Sequence, residues 1–237
     1  ELSIEVRSDI ITKVKGLFLH QIGSVFILGT DNIIISMAPG LGITAVGLYS
    51  NYNLIIMAVY NAVSQTFSSI TAGVANLLVE NNSEKSYEIY KNMLLLNSWI
   101  FSFVAISVLC LMEPFIKLWI GSDYILPKLV LIVLIIDLYV RGMRSSSNIF
   151  KNAAGIFYED RYIPLIESVI NLIFSIIFVR YFGLAGVFMG TTMSSMVLFG
   201  YSYPKYVYKG IFKKSYLQYS KDYIQYVFIT MISAIPV

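Results

Sequence analysis

The sequence predicts an all-α fold: a polytopic bundle of about seven transmembrane helices with its N-terminus in the cytoplasm. Three observations predict it. Hydrophobic residues make up 57% of the chain and charged residues only 13%, against about a quarter charged in an ordinary soluble domain. The charges fall in short clusters between runs of about 20 apolar residues, the length of helix that a ~30 Å bilayer core requires. The runs lack strict alternation and are too long for barrel strands, so each segment must satisfy its own backbone as a helix.

The first run, 17–38, stops at Ala38-Pro39-Gly40-Leu41-Gly42, a turn rich in helix breakers. The second, 44–72, opens a stretch of 36 residues without a charge from Thr44 to Val79, or ~54 Å of helix at 1.5 Å per residue. That exceeds the membrane, so this helix is expected to protrude or to break near Gly73. Residues 82–88 then read as a short surface helix capped by Asn82 or Ser83. Further spans follow at 92–112, 126–147, 162–182, 184–204 and 223–237, with a tight turn at Gly183-Leu184-Ala185-Gly186 between the fifth and sixth. With the N-terminus inside, fourteen Lys and Arg fall on the inner side; only Lys117, Lys128 and Arg180 fall outside. This is a strong positive-inside bias.

The totals also exclude. A net charge of +3, with no basic soluble face, gives no footprint for nucleic acid. Cys110 is the only cysteine, so no internal disulfide or Cys-x-x-Cys metal site can form. There is one His and no nucleophile elbow, HExxH or Walker A loop, so no enzyme and no bound cofactor is expected. The first 16 residues are polar and form no signal peptide. The chain begins at Glu1 and ends at Val237 inside an apolar run, and is read as part of a longer protein.

Several spans carry polar residues on one face at 100° per residue. His20, Ser24 and Asp31 lie within about 40° of one another, and Tyr49, Asn53, Tyr60 and Ser64 within about 60°. Asp137, Arg141, Arg144 and Asn148 line one face of the fourth span. Glu167 stacks on Asn171, and Thr191 on Ser195. A charge at mid-bilayer costs at least ~2.5–3.5 kcal/mol on insertion scales, so such groups face a bundle interior or water. A shared hydrated cavity is the functional expectation. Each position also has a plainer reading. Asp137 and Arg141 are spaced to neutralise one another, Arg144 is near enough to the membrane edge to snorkel, and His20 suits an interface. Thr191, Thr192, Ser194 and Ser195 suit helix-to-helix contacts.

Five segments resemble a known family. They are Thr30–Ser36, Val46–Tyr52, Phe115–Gly121, Tyr158–Glu167 and Phe182–Thr191, in family order over roughly residues 10–210. The resemblance is to the C-terminal half of the Wzx-type oligosaccharide flippases of the multidrug/oligosaccharidyl-lipid/polysaccharide exporter superfamily. Such proteins have a dozen or more helices in two related lobes; this chain has the length of one. The resemblance implies translocation of an undecaprenyl-pyrophosphate-linked repeat unit across the cytoplasmic membrane by alternating access, for capsule, exopolysaccharide or O-antigen assembly. Partners would be the bilayer, the lipid-linked oligosaccharide and other glycan-assembly membrane proteins. The expected pathway residues are Asp31, Tyr49, Asn53, Asp137, Arg141, Arg144, Glu167 and Asn171. Arg141 and Arg144 are expected to hold pyrophosphate, and Asp31 or Glu167 a coupling proton or Na⁺. The alternatives are an ion-coupled multidrug exporter of the same superfamily, a membrane polymerase or ligase of the glycan pathway, and a broken gene product that only anchors or binds. A polymerase or ligase would need a long outer loop, and the longest here is about 15 residues.

Overall fold

Apolar runs become helices whose ends fall where Gly, Pro, Asn or a cluster of hydroxyls interrupts them. The computed structural model describes residues 4–235, the side chains of 4–6, 8, 9, 24, 27 and 28 excepted. Among the described residues the elements are all helical: α1 (Ile4–Met37), α2 (Gly42–Ser68), α3 (Thr71–Val79), α4 (Ser83–Trp119), α5 (Lys128–Met143), α6 (Ser145–Ala153), α7 (Ile163–Phe182), α8 (Leu184–Val197) and α9 (Tyr216–Ala234). A wider-wound π segment, Leu198–Phe212, continues α8, and a single 3₁₀ turn, Ser122–Tyr124, lies between α4 and α5. The all-α class is as the sequence predicts.

Among the described residues, four stretches are long and apolar enough to cross a membrane on their own: Gly42–Val79, Ser83–Trp119, Ile163–Phe182 and Leu184–Phe212. These match four of the seven spans that the sequence suggested. The other three expected spans differ for distinct reasons. Helix α1 has 34 residues, and its apolar run includes positions 24, 27 and 28, whose side chains lie outside the described ones. Helix α5 has 16 residues, or ~24 Å at 1.5 Å per residue, and yields to α6 at Arg144. Helix α9 has 19 residues and its first turns hold Lys221 and Asp222; positions 236 and 237 of the expected last span lie outside the described residues.

The long second helix breaks earlier than Gly73. Ser68, Ser69 and Thr71 each donate a hydroxyl to the carbonyl three residues back, at 2.9, 2.7 and 2.7 Å. Such back-bonding competes with the helix ladder and bends it, so α2 ends at Ser68 while Gly73 lies inside α3. The short helix expected at 82–88 is no separate element. Asn82 caps it, accepting from the Lys85 backbone N–H at 3.0 Å, but no breaker follows and α4 runs on for 37 residues to Trp119.

In lipid, burying apolar surface between helices gives little drive, so close packing and polar contacts decide which helices meet. Helices α7 and α8 form the most extensive pair, turning at Gly183 with φ 55°. A Cβ on Gly186 would lie 2.2 Å from the Phe178 carbonyl oxygen, and one on Gly190 2.3 Å from Ser175 Oγ. Ser175 donates to the Val187 carbonyl at 2.9 Å across this seam. Against the pair pack α1, through Gly23 on Pro164, and α5.

Two cores form, with Tyr139 packed against both. One gathers Ile35, Tyr52, Ile56, Met112, Leu134 and Val187 from α1, α2, α4, α5 and α8. The other is aromatic, with Tyr87, Tyr90, Phe150, Tyr203, Tyr208 and Phe212 buried together. Within it Asp222 is buried yet satisfied: Tyr87 and Tyr208 donate to Oδ2 at 2.6 and 2.9 Å, and Gln218 to Oδ1 at 2.9 Å.

Candidate functional site

Polar side chains from α1, α2, α5 and α8 converge beside the first core, whose Ile56, Leu134 and Phe188 share the same walls. They line a cavity of about 160 Å³ whose walls include Asp31, Tyr49, Asn53, Asp137, Arg141 and Thr191. At roughly 30 Å³ per water it holds about five waters. In this arrangement it admits water or a hydrated ion but no sugar chain.

Asp31 is 8% exposed. Thr191 donates to its Oδ2 at 3.1 Å, and Asn171 of α7 donates to Thr191 at 2.9 Å. Its Oδ1 is buried with no hydrogen-bond partner among the described residues. Such an oxygen costs free energy unless a proton, water or cation reaches it. Opposite, Arg141 donates from Nη2 to Asp137 Oδ2 at 2.5 Å, one turn back on α5. The Arg141 guanidinium also lies 5.9 Å from the centre of the Tyr60 ring.

Arg144 and Glu167 form a second, separate cluster at the break between α5 and α6. Arg144 Nη1 donates to Glu167 Oε1 at 3.0 Å and to Ser195 Oγ at 3.1 Å, and Nε to Tyr203 OH at 3.3 Å. One guanidinium thus joins α5, α7, α8 and the π segment. Its side chain is 20% exposed, that of Glu167 6%.

Of the eight predicted residues, five line the cavity and Asn171 reaches it through Thr191. Arg144 and Glu167 lie apart from it and bind each other. The expectation that Arg144 snorkels to the membrane edge is replaced by this inter-helix pair, because Glu167 stands on the neighbouring helix. Nor do Arg141 and Arg144 form a paired anion clamp, since each guanidinium is already held by its own carboxylate. Tyr60 sits beneath Arg141 as the face reading implied, but Ser64 bonds only within its helix, to the Asn61 carbonyl at 3.4 Å. The Ser24 side chain lies outside the described residues.

A third polar cluster was not foreseen. His20 is not a bare interfacial residue: its Nε2 lies 2.8 Å from Asp160 Oδ1. Lys151 Nζ lies 2.5 Å from Asp160 Oδ2, and Ser202 donates to the same oxygen at 3.0 Å. Asp160, with a fully enclosed carboxylate, so ties α1, α6 and the π segment together before α7 begins. Burial opposes its charge, but the bond from His20 and the Lys151 ammonium outweigh burial and hold the carboxyl below its ordinary range. These partners are 140, 9 and 42 residues away, and no helical periodicity links them.

The fold and this constellation define a helical membrane protein with a polar cavity inside its bundle. Compared with family models, with curated proteins and with solved structures, the chain has no match.

Proposed function

We propose that this chain is part of a multi-pass transporter of the cytoplasmic membrane that flips a lipid-linked oligosaccharide repeat unit. The carrier lipid is undecaprenyl pyrophosphate and the product feeds capsule, exopolysaccharide or O-antigen assembly, with no chemical step on the cargo. The observation that carries the reading is the cavity: Asp31, Tyr49, Asn53, Asp137 and Arg141 converge on it from three helices. A merely anchoring bundle has no use for buried charge, which costs insertion free energy. The arrangement is then a closed state, and the passage opens when this lobe rocks against its counterpart. Asp31, with one unpartnered oxygen, is the place for a coupling proton or Na⁺. Arg141, whose side chain stays 29% exposed, is the cation nearest the pathway for a phosphate.

Ion-coupled export of cationic compounds is a second reading, favoured by one observation. Asp137 neutralises Arg141 while Asp31 keeps a free oxygen, so the closed cavity suits a cation better than an anion. The deciding experiment deletes the full-length gene and measures lipid-linked oligosaccharides in each membrane leaflet. Complete repeat units held on the cytoplasmic side, with polymer lost, are expected. Normal arrival at the outer leaflet refutes the flippase, and slowed efflux of a cationic dye in the same strain then supports the exporter.

A further inference from the structure

Outside the polar cavity, two hollows join along the seam of α4 and α5. One, about 390 Å³, is walled by Ala105, Ile106 and Leu109 of α4, Ile132 and Ile136 of α5, and Val227 of α9. The hydroxyls near it are used among themselves: Thr230 Oγ1 lies 3.0 Å from Tyr139 OH and 2.6 Å from Ser102 Oγ. Leu109 and Ile132 also wall the second hollow, about 590 Å³, whose far side carries Glu113, Lys117 and Lys128. Lys117 pairs with Glu113 at 2.8 Å, with both side chains about half exposed at 52% and 48%, and Lys128 is exposed. Two ammonium groups against one carboxylate leave this rim one charge positive.

The dimensions suit one leaflet. From Lys128 to Val140 the trough follows thirteen residues of α5, a rise of ~18 Å at 1.5 Å per residue; half of a ~30 Å hydrocarbon core is about 15 Å. Trp119 and Tyr124, exposed beside the rim, are the aromatics that settle at headgroup level. An apolar trough of leaflet depth ending in a net cationic rim complements a phospholipid in both shape and charge.

We infer that this groove is a phospholipid-binding site, with an acyl chain against Leu109 and Ile132 and the anionic phosphate against Lys117 and Lys128. The site is independent of the cargo, and its loss leaves the transport reading untouched. The test reconstitutes the full chain in bilayer nanodiscs of phosphatidylglycerol and phosphatidylcholine, extracts it gently and weighs the lipids that stay bound. Wild type retains phosphatidylglycerol in preference. Lys128→Gln, an exposed change that leaves the fold intact, lowers retention severalfold, and Lys128→Arg restores it. Ile132→Trp blocks the trough and lowers retention with the rim intact. Equal retention of the two lipids by wild type, or unchanged retention in both Lys128→Gln and Ile132→Trp, overturns the site. Displacement of the phospholipid by added polyprenyl phosphate also overturns it, assigning the groove to a polyprenyl chain.

Discussion

Replacing Glu167 by Gln strips the carboxylate from the guanidinium that joins four helical segments. Arg144 then keeps only Ser195 at 3.1 Å and Tyr203 at 3.3 Å. With its side chain 20% exposed and that of Glu167 6% exposed, little solvent reaches the site to replace the lost partner. Breaking a buried pair on one side costs about 3–5 kcal/mol. The neutral Gln amide oxygen can still accept one bond, which favours the lower end, about 3 kcal/mol, or about a hundredfold in the unfolding equilibrium. Arg144→Gln strands Glu167 on the single Ser195 hydroxyl at 3.4 Å and costs a similar amount. In Arg144→Gln/Glu167→Gln neither charge is stranded, so the double variant should cost less than the sum of the singles by about 2 kcal/mol. The assay is denaturant unfolding of the purified protein in mixed micelles, fitted as a double-mutant cycle. Additivity within about 0.5 kcal/mol refutes the pair as the fastening of these helices.

Four further outcomes are expected. Gly186→Val should abolish recovery of folded protein, because backbone 2.2 Å from the new Cβ cannot yield, while Gly47→Ala, with nothing within 4 Å, should stabilise by about 0.5–1 kcal/mol; equal behaviour of the two contradicts the tight α7–α8 seam. Asp160 is held below its ordinary carboxylate value of 3.8, so its stabilisation is present above that pH and is lost as pH falls through the lower folded-state value. Asp160→Asn should therefore lower the thermal unfolding midpoint at pH 7, with the gap to wild type closing in acid; a pH-independent gap refutes the linkage. Asp31→Asn should leave membrane levels normal and remove the dependence of transport on the proton or Na⁺ gradient, and unchanged dependence excludes Asp31 as the coupling site. Orientation is checked by labelling: Ile43, 82% exposed, replaced by Cys in a chain lacking Cys110, should react with an impermeant reagent from outside, and reaction only after lysis reverses the topology. Gly42 would be the poorer site, since its φ of 68° strains any side chain.

The cavity was legible in the sequence because helical periodicity fixes the direction of each side chain on its own helix. The faces of Asp31, of Tyr49 with Asn53, and of Asp137 with Arg141 do turn inward to a common space. The pairing of Asp137 with Arg141 is equally local, four residues apart on one helix. Arg144 could not be placed this way. Its partner Glu167 lies 23 residues further along the chain, and its approach depends on how closely α7 packs beside the α5–α6 break. His20 and Asp160, 140 residues apart, were further still from any local signal.

Composition and span length alone determined an all-α chain with helices suited to a membrane, since backbone amides in lipid have no partner but each other. Local chemistry set many of the boundaries, such as the glycine turn at Gly183 and the Asn82 cap. The tertiary structure decided the rest: where the second helix breaks, which acid neutralises which base, and which carboxylate oxygen is left without a partner. Those outcomes depend on distances between helices, and in a bilayer the distances follow from small-residue seams such as Gly186 and Gly190 against Ser175 and Phe178.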